Sequence, residues 1–335
     1  MSLGKRLIET AGQPPITNFN IVTYTGTGSS QAITGVGFRP DKVVIKRRNA
    51  SDDWAVLDSN RGANVSSWNN NSAQSSFTVS CDTDGGTVPS TSGMTNASGS
   101  SYVAYCWKAN EGTTSSNTDG TITSTVQANT GAGFSIVTYT GDGSNGTVGH
   151  GLGATPEIVI AKRLNSSGNW SISGNVGGLS YGTNKLMFNS TNGLTNDTNE
   201  VTSAGSSTFT AGTSGSVGAS GSSYVAYCFR SITGVSKFGS YTSNATTKIN
   251  TGFQPDFFIF KYLDTGDWYV QDKTQSESVT GIHGGDLIKK YYVPNSNAAE
   301  NSVSTGGVEI MSDGFYNKNW FEKTNGDFYM AFKIT

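Results

Sequence analysis

One sequence unit occurs three times along this chain of 335 residues, and the triplication limits the folds open to it. Residues 19–26 read FNIVTYTG, residues 134–141 read FSIVTYTG, and residues 238–242, FGSYT, are a shortened third version. Each unit continues through a proline-containing turn into an apolar strand, then a tryptophan, and ends with a closing strand. The period of about 110 residues exceeds the 20–50 residues of a solenoid repeat. We therefore expect each unit to be a complete domain with its own core.

Short runs of β-branched and aromatic residues alternate within each unit. In the opening run, Ile21 and Thr23 point to one side, while Val22 and Tyr24 point to the other. Turns rich in Gly, Ser, Asn and Thr separate such runs, and no segment carries a sustained apolar stripe of helical period. The sequence predicts an all-β protein of three tandem antiparallel β-sandwich-like domains with a short N-terminal arm.

The landmarks of the repeat also set the expected domain boundaries. They give an N-terminal arm 1–17, a first β-domain 18–110, a linker 111–131, a second β-domain 132–231 and a third β-domain 232–335. The linker is rich in Thr, Ser and Asn, and we expect an extended crossing there. The second junction is short, so the last two domains should lie in near contact.

A tryptophan follows the apolar strand in every unit, namely Trp54, Trp170 and Trp268. Because it has the same topological place each time, we expect it to anchor the core of the repeat or the contact between its sheets. Cys106 and Cys228 also occupy equivalent strand positions and are expected to be small buried packing residues. The odd total of three cysteines, without Cys-x-x-Cys spacing, indicates neither a disulfide framework nor a zinc site.

The charge of the chain excludes several classes of protein. Its 22 basic and 24 acidic residues give a net charge of −2, whereas neutralising phosphates requires a basic face, so we expect no nucleic-acid partner. Charged residues make up 14% against about 25% in typical proteins, which disfavours a helix-rich enzyme or a coiled coil. No apolar run approaches the roughly 20 residues of a membrane span, and the first residues lack the apolar stretch of a signal peptide. We expect neither membrane insertion nor secretion.

Motifs that accompany catalysis or metal binding lack their required surroundings here. Residues 178–182, GLSYG, match the nucleophile elbow, but this motif needs a strand-to-helix turn and a histidine partner, and the chain has two histidines. Residues 82–85, DTDG, resemble the start of a calcium loop without its later acidic ligand, which excludes an EF-hand but leaves an irregular calcium site open. We therefore predict no enzyme activity, no catalytic residue, no cofactor and no dedicated metal site.

The N-terminal arm 1–17 has few large apolar residues. Leu7 and Ile8 are adjacent and are flanked by Lys5, Arg6 and Glu9, and the others are Met1, Leu3 and Ile16. This suffices for a small docking helix but not for a core, so we predict that the arm attaches the chain to another protein or to a sister copy. The alternative is a disordered tail.

The third unit holds 18 of the 36 aromatic residues. Tyr291, Tyr292, Tyr316 and Trp320 lie at loop-like positions beside polar and basic residues. Rigid amphipathic rings suit a contact surface, so these four are the candidate residues for recognising a protein or a glycan, or for a seam between oligomer subunits. A denser core is the alternative.

The chain resembles a known family at these points. The opening MSLGKRLI, followed by units with IVTYTG, GHGLG, GFRPD and SYVAYC before Trp or Phe, is similar to repeat-containing virion proteins of tailed bacteriophages, especially marine phages of cyanobacteria. The likeness covers nearly the whole chain, and the third unit departs from it most, ending in Lys333-Ile334 in place of Cys-Trp/Phe. Such units are found alike in tail fibres, tail-associated adhesion proteins and capsid-surface fibres, and they imply no catalytic residues.

The resemblance implies a non-enzymatic virion structural protein, synthesised in the host cytoplasm and placed in the tail fibre or adhesion apparatus. The alternatives are a capsid decoration protein, or head fibre, and a carbohydrate-active tailspike enzyme. The last is disfavoured because three sandwich-sized units repeat and no carboxylate pair is common to them. Expected partners are other virion proteins through the arm, further copies in a homo-oligomer, and a host surface glycan or protein.

Overall fold

The computed structural model describes residues 18–77, 79–90, 92–242, 247–318 and 326–335. Every ladder between its strands is antiparallel, and helix is confined in these residues to α1 (Gly93–Asn96) and a 3-10 turn (Lys273–Gln275). The predicted all-β class is confirmed. Below, unit 1 means residues 18–110, unit 2 residues 132–231 and unit 3 residues 232–335.

The strands follow the repeat. Unit 1 contains β1 (Phe19–Thr25), β2 (Gln31–Ile33), β3 (Lys42–Arg47), β4 (Ala55–Asp58), β5 (Asn64–Val65), β6 (Ser75–Ser76), β7 (Ser80–Asp82), β8 (Gly85–Val88) and β9 (Ser101–Trp107). Between units 1 and 2 come β10 (Ser115–Asn117) and β11 (Ser124–Asn129). Unit 2 contains β12 (Phe134–Thr140), β13 (Gly146–Gly149), β14 (Ile158–Arg163), β15 (Trp170–Gly174), β16 (Asn184–Met187), β17 (Thr195–Asn196), β18 (Val201–Ala204), β19 (Thr208–Ala211) and β20 (Ser223–Phe229).

The described residues of unit 3 form eleven further strands. They are β21 (Ser236–Tyr241), β22 (Ile249–Asn250), β23 (Phe257–Tyr262), β24 (Trp268–Asp272), β25 (Ser276–Thr280), β26 (Asp286–Ile288), β27 (Lys290–Tyr291), β28 (Asn301–Ser302), β29 (Gly307–Met311), β30 (Gly314–Lys318) and β31 (Asp327–Phe332).

Each unit is a sandwich of an inner and an outer sheet. The inner layers have one strand order, β1-β9-β3-β4 in unit 1, β12-β20-β14-β15 in unit 2 and β21-β31-β23-β24 in unit 3. The outer sheets are β2-β8-β7, β13-β19-β18 and β22-β30-β29-β26-β25. The closing strand of the repeat thus becomes the second strand of every inner layer, which explains why its sequence is so well kept between units 1 and 2.

Both faces of the inner sheets are buried. Alternate residues of β9 supply the two faces: Tyr102, Ala104 and Cys106 pack in the core of unit 1, and Val103, Tyr105 and Trp107 enter a second core. We call this second core the hub. It consists of buried residues from all three units gathered around Phe19, Trp107, Phe134, Phe229, Phe257 and Phe332.

The hub corrects the expectation of three separate domains in a row. Each unit does have a core between its own two sheets. However, the inner sheets also pack against one another, with 5.4 Å between the ring centres of Phe19 and Phe257 and 5.9 Å between those of Phe229 and Phe332. The second apolar face of each inner sheet is therefore covered by the other units.

Residues 111–131 do not form the predicted extended linker. They contain β10 and β11, and β11 pairs with β12 along its length, from Ser124 opposite Tyr139 to Asn129 opposite Phe134. Together with β16 and β17 at the other edge, these strands widen the inner sheet of unit 2 to eight strands. The polar composition that favoured a linker reflects an exposed edge strand, because β10 is mostly solvent-accessible.

Candidate functional site

The three repeated tryptophans lie where neighbouring units meet, and we call these contacts the seams. All three indoles are fully buried. Trp170 pairs with Lys162 and Trp268 with Lys261, each lysine being the next-to-last residue of the preceding apolar strand. Trp54 comes directly before β4, which pairs with the corresponding strand of unit 1. Each indole N–H donates to a backbone carbonyl of another unit: Trp54 to Ser296 at 3.1 Å, Trp170 to Ser67 at 2.7 Å and Trp268 to Met187 at 2.8 Å.

The repeated lysines also form hydrogen bonds from one unit to another. Across the seams, Lys46 Nζ donates to Asn297 O at 3.0 Å, Lys162 Nζ to Asn71 O at 3.1 Å and Lys261 Nζ to Thr191 O at 3.2 Å. Each also donates to a carbonyl in its own hairpin. Burial lowers the pKa of each of these lysines to about 8. Burying an ammonium group costs less when carbonyl oxygens accept hydrogen bonds from it. These lysines therefore cross-link neighbouring units through hydrogen bonds.

The seams form a closed cycle. At every seam the carbonyl that receives the lysine also accepts a backbone N–H: Gly168 donates to Asn71, Gly266 to Thr191 and Asp52 to Asn297, each at 2.8 Å. Unit 2 thus donates hydrogen bonds to unit 1, unit 3 donates to unit 2, and unit 1 donates to unit 3. This cyclic order is that of a three-fold symmetric trimer, here built from a single chain.

A buried tyrosine–aspartate pair reinforces two of the three seams. Tyr105 Oη donates to Asp272 Oδ2 at 2.6 Å, and Tyr227 Oη donates to Asp58 Oδ2 at 2.7 Å. In the strand registers the third tyrosine position holds Met330 and the third aspartate position holds Gly174. Both partners are missing together at the seam between units 2 and 3, which avoids leaving a buried carboxylate without a donor.

Unit 1 places a buried lysine, Lys42, beside the hub, where units 2 and 3 have an apolar residue. Lys42 occupies the register position held by Ile158 in unit 2 and Phe257 in unit 3. Its ammonium lies 3.9 Å from the ring centre of Trp107 and 5.0 Å from that of Tyr227. Burial lowers the pKa of Lys42 to about 7, although the charge of Asp58 opposes the shift.

The predicted recognition residues have different environments. Tyr292 is fully buried at the seam between units 3 and 1, where its hydroxyl donates to Glu300 at 2.8 Å and its ring lies 5.8 Å from Trp54. It is therefore not a surface residue. Tyr291 is half-buried against Tyr269, and Tyr316 is half-buried beneath His283, whereas Trp320 lies outside the described residues.

The predicted attachment residues Leu7 and Ile8, like the whole arm 1–17, lie outside the described residues. The arm leaves the described fold beside the C-terminus. Asn18 N donates to Thr335 O at 3.0 Å, and Lys108 N donates to Asn18 O at 2.9 Å. The first described residue and the C-terminus thus lie together, next to Phe19 of the hub.

Among the described residues no cluster of three His, Cys, Asp or Glu side chains could hold a metal ion. Residues 82–85, the calcium-like segment, form the tight turn between β7 and β8. The Asp84 carboxylate there accepts the backbone N–H groups of Gly35 at 3.0 Å and Gly37 at 2.7 Å. The cysteines are free, with Cys106 and Cys228 buried at equivalent positions. No helix in the described part of the chain is long and apolar enough to span a bilayer.

His150 is buried in unit 2 in a fixed tautomer. Its Nδ1 accepts the Leu152 N–H at 3.2 Å, so Nε2 carries the proton and donates to Gly205 O at 3.0 Å. Burial lowers the pKa of His150 below its ordinary 6.5. Protonation of the folded protein would also break the bond from Leu152.

We expect this histidine to weaken the fold in acid. Because the folded pKa lies below the unfolded one, the unfolded chain binds the proton first, and stability falls as the pH drops below about 6.5. The slope from one such group reaches about 1.4 kcal/mol per pH unit. Urea titrations at pH 7 and pH 5 should show a smaller loss for His150→Gln than for the wild type. Equal losses would contradict the assignment.

A closed ring of three β-sandwich units, locked by repeated tryptophans and lysines, is the class of protein that these contacts define. The chain belongs to the family described as a domain of unknown function (DUF7483), whose family model matches residues 14–333. No curated protein and no solved structure matches the chain. The one family model thus covers all three units of this chain.

The lysines of the seams were missed by sequence reasoning, although a signal for them exists. Lys46, Lys162 and Lys261 are the next-to-last residue of the apolar strand in every copy, where a surface position would tolerate any polar residue. An asparagine is repeated as well: the side-chain oxygen of Asn69, Asn189 or Asn295 accepts the backbone N–H of the tryptophan in its own unit. Three-fold repetition of a polar residue next to a core anchor is the pattern that would have revealed the seams.

Proposed function

We propose that the chain is a non-enzymatic structural protein of a bacteriophage virion, in the tail fibre or tail-associated adhesion apparatus. The observation that carries the proposal is that the repeated polar side chains form their hydrogen bonds across the seams between units. Trp170 and Lys162 both bond to unit 1, and their counterparts in units 1 and 3 bond in the same cyclic sense. Repeated side chains that bond one unit to the next are suited to a rigid structural protein. The sequence resemblance to phage virion proteins indicates that this structural protein is part of a virion.

The place of the ends also supports attachment through the arm. Asn18 and Thr335 are hydrogen-bonded to each other beside the hub, so the arm joins the described fold there. Other virion proteins are the proposed partners of the arm through Leu7 and Ile8. Several copies in one particle would then present the outer sheets to a host surface glycan or protein, where weak contacts gain from avidity.

Purified particles of a phage that encodes this chain provide the test. We expect mass spectrometry to find the chain in the particles and labelled antibodies to place it on the tail. Removal of residues 1–17 should abolish incorporation, while the purified variant keeps the melting temperature of the full chain. Absence of the wild-type chain from particles would refute the proposal, and label on the capsid would favour capsid decoration instead.

A carbohydrate-active enzyme is the competing function. The purified chain is expected to release no reducing sugar from host surface polysaccharide. Turnover that survives further purification and follows the chain through gel filtration would overturn the non-enzymatic proposal. The same preparation in a glycan-binding assay separates adhesion from catalysis, because an adhesion protein retains the polysaccharide unchanged.

A further inference from the structure

Each seam contains one further backbone hydrogen bond, which we call the rung. It lies two residues after the seam lysine on one unit, and three residues after the carbonyl that this lysine bonds on the other unit. The donors and acceptors are Glu300 N to Arg48 O at 2.9 Å, Gln74 N to Leu164 O at 2.9 Å and Leu194 N to Leu263 O at 2.8 Å. The backbone of the rung is thus the same at every seam, whereas its side chains differ.

The rung between units 1 and 3 carries opposite charges. Arg48 Nη2 donates to Glu300 Oε1 at 3.0 Å, and the two side chains are only 19% and 15% exposed. Within unit 3 the same carboxylate oxygen accepts bonds from Gln275 Nε2 at 3.1 Å and from Tyr292 Oη at 2.8 Å. Unit 3 therefore holds the carboxylate in position by itself, and unit 1 supplies the cation that pairs with it.

The other two rungs carry no charge. Leu164 is buried in the hub, and Leu194 and Leu263 are half-buried and pack against it. Gln74, the partner of Leu164, is half-buried and neutral. A charged side chain facing one of these leucines would lose its water without gaining an opposite charge, which costs free energy. The three rungs are therefore not interchangeable.

Three units can close a ring in two cyclic orders, and the rungs distinguish them. In the observed order Arg48 of unit 1 meets Glu300 of unit 3. In the reverse order Arg48 would face Leu194 of unit 2, and Glu300 would face Leu164. The seam tryptophans and lysines do not discriminate between the orders, because they bond to backbone carbonyls, which every unit has. The reverse order would thus leave two charges unpaired at its seams.

The buried tyrosine–aspartate pairs favour the same order. In the reverse order Tyr105 would face Gly174 and lose its acceptor, while Asp58 would face Met330 and lose its donor. A buried carboxylate without a donor is costly. Two separate sets of side chains at the seams therefore agree on one arrangement of the units.

We propose that Arg48 and Glu300 are specificity-determining residues, which select unit 3 as the partner of the unit 1 seam and so fix the order in which the ring closes. The surface of unit 1 around Arg48 accepts unit 3 and rejects unit 2, because unit 3 presents a carboxylate at the rung where unit 2 presents Leu194. Specificity of this kind combines an attractive pair with a penalty for the wrong partner. It operates in the isolated chain and is independent of any virion partner.

Exchanging the charges in the full-length chain tests the pairing. Arg48→Glu and Glu300→Arg each place like charges at the rung, and each should lower the folding equilibrium constant by about tenfold or more in urea titrations. The double variant restores opposite charges and should recover part of this loss. Lys248→Glu is the matched control, because it breaks an exposed ion pair of unit 3, 2.7 Å from Asp313, and it should leave the urea midpoint unchanged. A double variant as unstable as the sum of the single ones would overturn the proposal.

A second variant separates specificity from stability. Arg48→Leu with Glu300→Leu copies the Leu263–Leu194 rung, and an apolar pair of this kind commonly preserves stability. After refolding from urea, this variant should populate a second arrangement in about one tenth or more of the chains, because its rung no longer rejects unit 2. Nuclear magnetic resonance would show the second arrangement as doubled amide signals of Gly168 and Gly266, whose N–H groups donate across the other two seams. The wild type and Lys248→Glu should give single signals. Single signals from the leucine variant with a wild-type urea midpoint would show that the charge pair does not select the order.

Discussion

Removal of unit 3 is expected to unfold the two units that remain. A chain of residues 1–231 loses every hub residue of unit 3, including Phe257, Phe332 and the buried ring of Tyr292. Phe19, Trp107 and their neighbours would then face water. Exposing each large apolar side chain costs about 1.5–3 kcal/mol, and several of them together equal the whole stability of a typical domain, about 5–15 kcal/mol. We expect residues 1–231 to be unfolded, aggregated or self-associated at 25 °C.

Scanning calorimetry of the full chain is the accompanying measurement. Because the units share the hub and close a ring of seams, we expect one cooperative transition rather than three. A chain of residues 18–335 is the control, since it lacks the arm but keeps all described contacts, and its melting temperature should match that of the full chain. Separate transitions in the full chain, together with a folded monomeric 1–231, would show that the units are independent domains.

The strands of each unit could be predicted from the sequence, but the hub could not. Alternation in β9 correctly separates Tyr102, Ala104 and Cys106 from Val103, Tyr105 and Trp107. Both sets are large and apolar, which is typical of a sheet covered on both faces. The covering layer, however, could equally be another unit, another copy or another protein, because apolar burial is not directional. Only the relative placement of the units decides between them.

The candidate site was predictable to a similar extent. The shared position of Trp54, Trp170 and Trp268 follows from the repeat, whereas their acceptors are backbone carbonyls, which leave no mark on the sequence. The recognition candidates failed in part for a related reason. Tyr292 lies in a segment that resembles a surface loop, but this segment folds over the seam between units 3 and 1. Local sequence does not tell whether a loop of one unit meets solvent or a neighbouring unit.

Trp170→Ala is expected to be strongly destabilising. The indole is fully buried, its ring lies 6.2 Å from that of Tyr227, and its N–H is bonded to Ser67 O across the seam. Truncating a buried tryptophan costs about 3–5 kcal/mol through lost contacts and the cavity left behind. The orphaned carbonyl adds about 1 kcal/mol or more. Urea unfolding should show this loss as a lower midpoint.

Trp170→Phe separates the two contributions, because it keeps an aromatic ring and removes the indole N–H. Its cost should be about 1–2 kcal/mol, the range expected when a buried acceptor loses its donor. Trp268→Ala, at the seam without a tyrosine–aspartate pair, should be about as costly as Trp170→Ala, since its indole is equally buried and bonded to Met187 O. If instead Trp170→Phe left the free energy of unfolding unchanged, the tryptophans would be ordinary packing residues and the closed ring would depend on the aromatic hub alone.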